Sequence, residues 1–125
     1  MTNWMMESLC FSQSLYGIWL EDSLGNTITG NTVTSNSDYG IYVNGDSNNN
    51  WLHHNNFVNN KGGGLQACDD GINNHWDDGI SEGNYWNDYE TRFPTATNDG
   101  IIWDTPYTID GGVGAQDNKP LVNPV

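Results

Sequence analysis

Apolar side chains fall at every second position in short runs through the first half of the chain. Ile18-Trp19-Leu20, Thr27-Ile28-Thr29, Thr32-Val33-Thr34 and Ile41-Tyr42-Val43 are examples, and Asn, Gly and Ser separate them. Alternation over a few residues marks short strands, and the Asn/Gly/Ser clusters mark tight turns. No apolar run keeps a helical spacing long enough for a helix. The runs also repeat with a period of 23–24 residues. Ser14-Leu15-Tyr16-Gly17-Ile18-Trp19-Leu20 returns as Ser37-Asp38-Tyr39-Gly40-Ile41-Tyr42-Val43, and in worn form as Gly63-Gly64-Leu65-Gln66-Ala67. The segment from Gly25 to Asn36 matches the one from Asn49 to Asn60. A fixed period in this range signals stacked repeats. Three short strands per period predict a parallel β-helix, each coil pairing with the next about 4.8 Å away.

The alignment predicts columns of stacked side chains. Met5, Ile28 and Leu52 make one, Cys10, Val33 and Phe57 another. Ile18, Ile41 and Leu65 make a third, and Leu20, Val43 and Ala67 a fourth. Asn3, Asn26 and Asn50 make a polar column at a turn, where amides bond up and down the stack as in other Asn ladders. Residues 3–13 fall in the frame of a preceding coil, so the first coil is expected to lack its first strand.

Length and charge narrow the reading. A chain of 125 residues is one domain in size, and three coils have much surface for their volume. The formal net charge is -13, with three basic residues, Lys61, Arg92 and Lys119. That balance argues against nucleic acid and anionic membrane, which need Lys/Arg patches, and suits divalent cations or neutral sugars. The N-terminus has neither the basic nor the apolar region of a signal peptide, and no segment is apolar enough to span a bilayer. A piece of a longer surface or secreted protein is the expectation. The two cysteines are expected not to pair, since two coil steps and a lateral offset exceed the roughly 7 Å a disulfide allows. Cys10 reads as a core residue and Cys68, aligned with Asn44, as a partly exposed thiol.

After Gly71 the period is lost and Trp, Tyr, Asp and Gly take over. A solenoid needs an atypical terminal unit to cover its last open edge. The expected organisation is coils over 1–71 and an irregular, aromatic and acidic cap over 72–125. The tail carries Trp76-Asp77, then Gly83-Asn84-Tyr85-Trp86-Asn87-Asp88-Tyr89, Asp99-Gly100, Asp104 to Ile109, and Asp117 to Leu121. This series resembles the C-terminal signature of NosD-like, right-handed parallel β-helix repeat proteins. That group is common on archaeal and bacterial surfaces and overlaps carbohydrate-binding and sugar-hydrolase β-helix domains. The resemblance implies a short right-handed β-helix of about three coils. It leaves function open between copper-site maturation, polysaccharide chemistry and surface display.

Candidate chemistry is sparse. Asp99 and Asp104, with Asp88 and backbone carbonyls, form a candidate calcium site, against the simpler reading of Asx turns. Copper wants His, Cys or Met. His53 and His54 are adjacent, and on a strand they face opposite sides; His53 aligns with outward Thr29, His54 sits at a turn, His75 lies in the cap and Met5 in a core column, so no copper cluster is expected. On the outward face Trp19, Tyr42 and Gln66 line up beside Glu21, Asn44 and Cys68. Aromatic faces cover the apolar face of a pyranose while carboxylates and amides bond its hydroxyls, so Trp19, Tyr42, Glu21, Asn44 and Gln66 are the candidate glycan-binding residues. No pair of carboxylates converges as a hydrolase needs, and the single Arg lies in the cap rather than on a coil face. The residues therefore favour a non-catalytic surface module for display, adhesion or glycan binding. The alternative is a fragment of a polysaccharide-active enzyme or of a copper-site maturation protein. Trp4, Met6, Leu9 and Phe11 read as outward apolar residues beside an open edge, which predicts self-association through the N-terminal coil.

Overall fold

The computed structural model describes residues 15–125 together with the backbone of two earlier strands, β1 (Met5–Met6) and β2 (Cys10–Ser12). Strands β3 (Ile18–Leu20), β4 (Thr27–Thr29), β5 (Thr32–Thr34), β6 (Ile41–Val43), β7 (Trp51–His53), β8 (Asn56–Val58) and β9 (Ala67–Asp69) follow. The tail adds β10 (Tyr85–Trp86), a single helical turn α1 (Tyr89–Arg92), β11 (Tyr107–Thr108) and β12 (Gln116–Asp117). Three sheets have purely parallel pairing, in the orders β1-β4-β7, β2-β5-β8-β10 and β3-β6-β9. The chain is all-β, and its stacked parallel walls are those of a β-helix. Ile18, Leu20, Ile28, Val33, Ile41, Val43, Leu52 and Phe57 all point inward and are buried. Ile41 is 0% exposed. Ile41→Asp is therefore expected to unfold the chain, because an unpaired charge would sit among apolar walls. Thr29→Asp, on the outer face, is expected to leave the thermal midpoint nearly unchanged; equal losses in the two variants would refute the register.

Two columns differ from those the repeat predicts. Ala67, not Leu65, sits opposite Ile41, and Asp69, not Ala67, opposite Val43. The insertion responsible is the 3₁₀ turn Lys61–Gly63, which lengthens the third corner. At the other end Met6 pairs with Ile28 and Phe11 with Val33, one residue later than the columns through Met5 and Cys10. Trp4, Leu9 and Asn3 lie outside the described residues.

The corners repeat a single device. A residue with left-handed backbone precedes a ladder Asn at each, buried in every case but the half-buried Asn74. At one corner these are Gly25 (φ 67), Asn49 (φ 60) and Asn73 (φ 57). At the next they are Gly30 (φ 72) and His54 (φ 55), and at the third Ser35 (φ 57) and Asn59 (φ 57). Gly and Asn tolerate this region best, which explains the Gly-Asn and Asn-Asn pairs in the sequence. The following Asn side chains stack into three ladders rather than the single one the sequence suggests. Asn26, Asn50 and Asn74 form the first. Asn31, Asn55 and Asn84 form the second, and Asn36 and Asn60 the third, which Gln66 ends. The amide oxygens of Asn50 and Asn55 each accept from the backbone N–H and the amide of the Asn in the coil below. Every buried side-chain N or O atom among the described residues has a partner.

The tail does more than cover the end. Three separate pieces of it add another rung: His75 bridges to Trp51, β10 pairs with β8, and Asp110 bridges to Cys68. The column Val33–Phe57 continues as Trp86, whose ring stacks on Phe57 at 4.2 Å and on Tyr107 at 4.0 Å. Two buried carboxylates hold the indoles: Trp76 Nε1 donates to Asp69 and Trp86 Nε1 to Asp117, each at 2.9 Å.

Candidate functional site

The outer face of β3-β6-β9 carries a cluster of aromatic rings. Gly17 and Gly40 precede its first two strands; a Cβ at Gly17 would lie 2.6 Å from Val33 Cγ1, so only glycine lets the corner close there. Tyr16 and Tyr39 stand just before these glycines, and Trp19 and Tyr42 point outward from the middle of their strands. The four rings meet. Tyr16 stacks on Tyr42 at 5.2 Å and meets Trp19 edge-on at 5.8 Å, and Tyr39 lies 6.2 Å from Tyr42. Trp19 is 54% exposed. Polar groups fringe the rings. The Tyr39 hydroxyl donates to Asp110 at 2.5 Å and the Tyr42 hydroxyl to Asp70 at 3.3 Å. Lys61 lies over the Tyr39 ring at 3.7 Å and pairs with Asp38 at 2.9 Å. Burial, and then the Asp110 bond, push the Tyr39 hydroxyl up to about 12, against the lowering contact of Lys61, so it stays a donor at neutral pH.

Three of the five predicted ligand residues lie on or beside this face: Trp19, Tyr42 and the exposed Glu21. Asn44 bonds Ser47 and the Asp46 N–H, closing its own turn. Gln66 is not in the row. It is buried, ends the third Asn ladder and donates to Asn87 and Asp88. The shift of two residues in the third coil places Cys68 opposite Tyr42 and makes it a buried, free thiol, not a partly exposed one. Burial, then the nearby Asp70 and Asp110 charges, push that thiol up to about 12, so it is neither a thiolate nucleophile nor a ready metal ligand. Tyr16 and Tyr39 were missed because the repeat places them at a corner, where only the stacking geometry brings them beside Tyr42.

The predicted acidic site is dispersed. Asp88 pairs with Arg92 and accepts from Gln66 and Tyr107. Asp99 accepts from the backbone of Ile101 and Ile102, and Asp104 from Thr97 and Thr105. Asp99 and Asp104 share the wall of one hollow, but Asp88 does not line it. No group of three or more His, Cys, Asp or Glu side chains among the described residues is placed to hold a metal ion.

The two histidines contradict the alternation argument. His54 has left-handed backbone, so the chain turns between the two and both rings reach the same side. His53 Nδ1 lies 2.7 Å from His54 Nδ1, and His54 Nε2 lies 2.8 Å from Glu82 Oε2. Glu82 is set by the loop before it. The Asp78 carboxylate accepts from the backbone N–H groups of Ile80, Ser81 and Glu82; burial raises its pKa, but these three donors prevail and hold it down at about 2. Burial, and then the neighbouring His54, lower the His53 pKa, against Asp78 and Asp77, so its ring is neutral at pH 7. His75 instead stacks face to face on Trp51 at 4.0 Å.

The comparison with known families gives the group: a family model described as periplasmic copper-binding protein (NosD) matches residues 2–91, and the chain belongs to that family. No significant match is found among curated proteins or among solved structures. The family description places its members in the periplasm. Among the described residues no helix is long and apolar enough to cross a membrane. For the copper that the description names, Cys68 is unsuitable, and among the described residues the imidazoles of His53 and His54 meet without a third ligand.

Proposed function

We propose that this chain is a non-catalytic, cell-surface or secreted module: a right-handed β-helix of about three coils over residues 1–71, closed by a cap over 72–125, that binds glycan on its outer aromatic face. The observation that carries this reading is the four-ring cluster of Tyr16, Trp19, Tyr39 and Tyr42 fringed by Asp70 and Asp110. Flat aromatic surfaces favour the apolar face of a sugar ring, and the fringing carboxylates accept its hydroxyl protons. The net charge of -13 selects against polyuronates and sulfated polymers and for neutral or amino sugars. Glu21 and Asn44 extend the polar edge, and Gln66 acts from beneath as support for the wall. In this reading Asp88, Asp99 and Asp104 brace the cap loops and do not chelate calcium.

A glycan array spanning neutral, amino and acidic polysaccharides tests the proposal. Trp19→Ala and Tyr42→Ala are each expected to weaken binding at least tenfold with the thermal midpoint of the chain kept, since both side chains are at the surface. Reading the same glycans for reducing-sugar release separates a binding module from a fragment of a polysaccharide-active enzyme. Absence of binding to every glycan, or full binding by Trp19→Ala, overturns the platform. Copper-site maturation is the second reading, favoured by the family match and by the paired imidazoles.

A further inference from the structure

We infer, on the strength of the glycan platform proposed above, that its ligand is a polysaccharide built of amine-bearing sugars, held by their ammonium groups as well as by their ring faces. The face already holds one ammonium of the chain's own. Lys61 Nζ lies 3.7 Å from the centre of the Tyr39 ring and 2.9 Å from Asp38 Oδ1. One aromatic face and one carboxylate thus make a slot for a primary ammonium. The Asp38 bond raises the Lys61 pKa, against the lowering effect of burial, so the charge is kept.

The pairing of ring and carboxylate recurs across the face. The backbone register runs one residue past each strand: the Asn44 N–H donates to the Leu20 carbonyl at 3.0 Å, and the Asp70 N–H to the Val43 carbonyl at 2.9 Å. Glu21, Asn44 and Asp70 therefore form the outward row next to that of Trp19, Tyr42 and Cys68. Asp70 Oδ2 accepts from the Tyr42 hydroxyl at 3.3 Å, and the exposed Glu21 stands two residues beyond Trp19 on the same face. The basic side chains are engaged elsewhere. Lys61 is on Asp38, Arg92 on Asp88, and Lys119 is 4.0 Å from Asp77. None of the ion pairs among the described residues involves Glu21 or Asp70.

An amine-bearing sugar meets both halves of this arrangement. Its apolar face covers the indole of Trp19, and its ammonium takes the place that Lys61 takes on Tyr39, between an aromatic ring and a carboxylate. A neutral sugar meets only the first half, and N-acetylation removes the charge that the second half attracts. A lysine-rich peptide would meet the carboxylates. Trp19, 54% exposed, favours the sugar, because a rigid ring covers the indole at less entropic cost than a flexible lysine stem.

The test is calorimetric titration of the full chain with oligomers of glucosamine, N-acetylglucosamine and glucose of equal length, and with oligolysine. The glucosamine oligomer is expected to bind about tenfold more tightly than the other two sugars. That preference is expected to shrink with added salt, and again as pH rises through the titration of the sugar amine. Glu21→Gln is expected to weaken the glucosamine oligomer by about threefold and to leave the two uncharged sugars unchanged, a split that general damage to the fold would not produce. Lys61→Met vacates the slot on Tyr39 and Asp38 and is expected to tighten the glucosamine oligomer alone. Equal affinity for the three sugars overturns the amine assignment and leaves the platform standing. Tighter binding of oligolysine than of the glucosamine oligomer overturns it in favour of a peptide ligand. Failure of every sugar to bind overturns the platform itself, and the amine assignment with it.

Discussion

Asn55→Ala is expected to lower the stability of the chain by about 3–5 kcal/mol, more than most single changes on its surface. Asn55 is 0% exposed and sits at the middle of the second ladder. Its amide oxygen accepts from the Asn31 backbone N–H and the Asn31 amide, each at 3.1 Å. Its amide nitrogen donates to the Ile28 carbonyl at 2.9 Å and to Asn84 Oδ1 at 3.0 Å. Alanine would strand a buried N–H and a buried carbonyl with no water to replace the partner, at about 1–3 kcal/mol for each group. Asn55→Asp tests the same point from the other side. It restores the acceptor for Asn31 but turns a carboxylate on the Ile28 carbonyl and on Asn84, so it is expected to be as damaging above its pKa. The comparison is Asn59→Ala: Asn59 is exposed, and losing its preference for left-handed backbone and the bond from Asn87 is expected to cost about 1–2 kcal/mol. Chemical denaturation of the three variants reads the differences, and a loss in Asn55→Ala no larger than in Asn59→Ala would refute the ladder as a source of stability.

The sequence carried the architecture because the repeat is written in local terms. Alternation in Thr27-Ile28-Thr29 names a strand with one inward residue, and the spacing to Trp51-Leu52-His53 names its neighbour, so the pair Ile28 and Leu52 is legible without coordinates. Legibility failed where spacing changed. The turn at Lys61–Gly63 inserts residues that no alignment of worn copies can place, so β9 slid by two, moving Gln66 inward and Cys68 opposite Tyr42, before the 24-residue spacing returns at Asn74 and His75. The aromatic face was half legible: Trp19 and Tyr42 follow from alternation, whereas Tyr16 and Tyr39 join them through corner geometry. The opposite-faces argument for the histidine pair failed for a physical reason. Alternation holds only while the backbone stays extended, and His54 has φ 55. The turn at His54 was legible; that its backbone is left-handed was signalled by Gly30 in the equivalent place. The tail gave up its motifs but not its pairing, because its rung is assembled from Tyr85–Trp86 and single bridges at His75 and Asp110, far apart in sequence.

The stability of the chain is expected to fall as pH rises from about 4 to about 7, and Asp117 is the main cause. Its carboxylate is 0% exposed and accepts from the Asn84 N–H at 2.7 Å, Trp86 Nε1 at 2.9 Å and the Lys119 N–H at 3.0 Å. Burial pushes its pKa up to about 7, against the lowering effect of these donors. An unfolded aspartate titrates near 3.9. Between about 4 and about 7 the folded state therefore binds the proton that the unfolded state has released, so each step up in pH favours unfolding, and above about 7 the effect is complete. Burial likewise raises Asp69 beneath Trp76, which adds to the same slope. Asp78 has the opposite sign: it is held at about 2, and its contribution is lost only as pH falls from about 4 through about 2. The two trends place the stability maximum on the acid side of neutral. Asp117→Asn cannot ionise and is expected to flatten the slope between pH 4 and 7. It still costs about 1–3 kcal/mol, because one end of the amide donates where the Lys119 N–H also donates. Relief by movement is blocked, since Gly83 packs so closely that a Cβ there would lie 1.9 Å from Asp117 Oδ1. Asp117→Leu removes the acceptor from three buried N–H groups at once and is expected to unfold the cap first, seen as loss of the near-ultraviolet signal of Trp86. Thermal midpoints at half-unit steps from pH 4 to 8 decide the matter: parent and Asp117→Asn curves that run parallel would show that Asp117 does not titrate in this range.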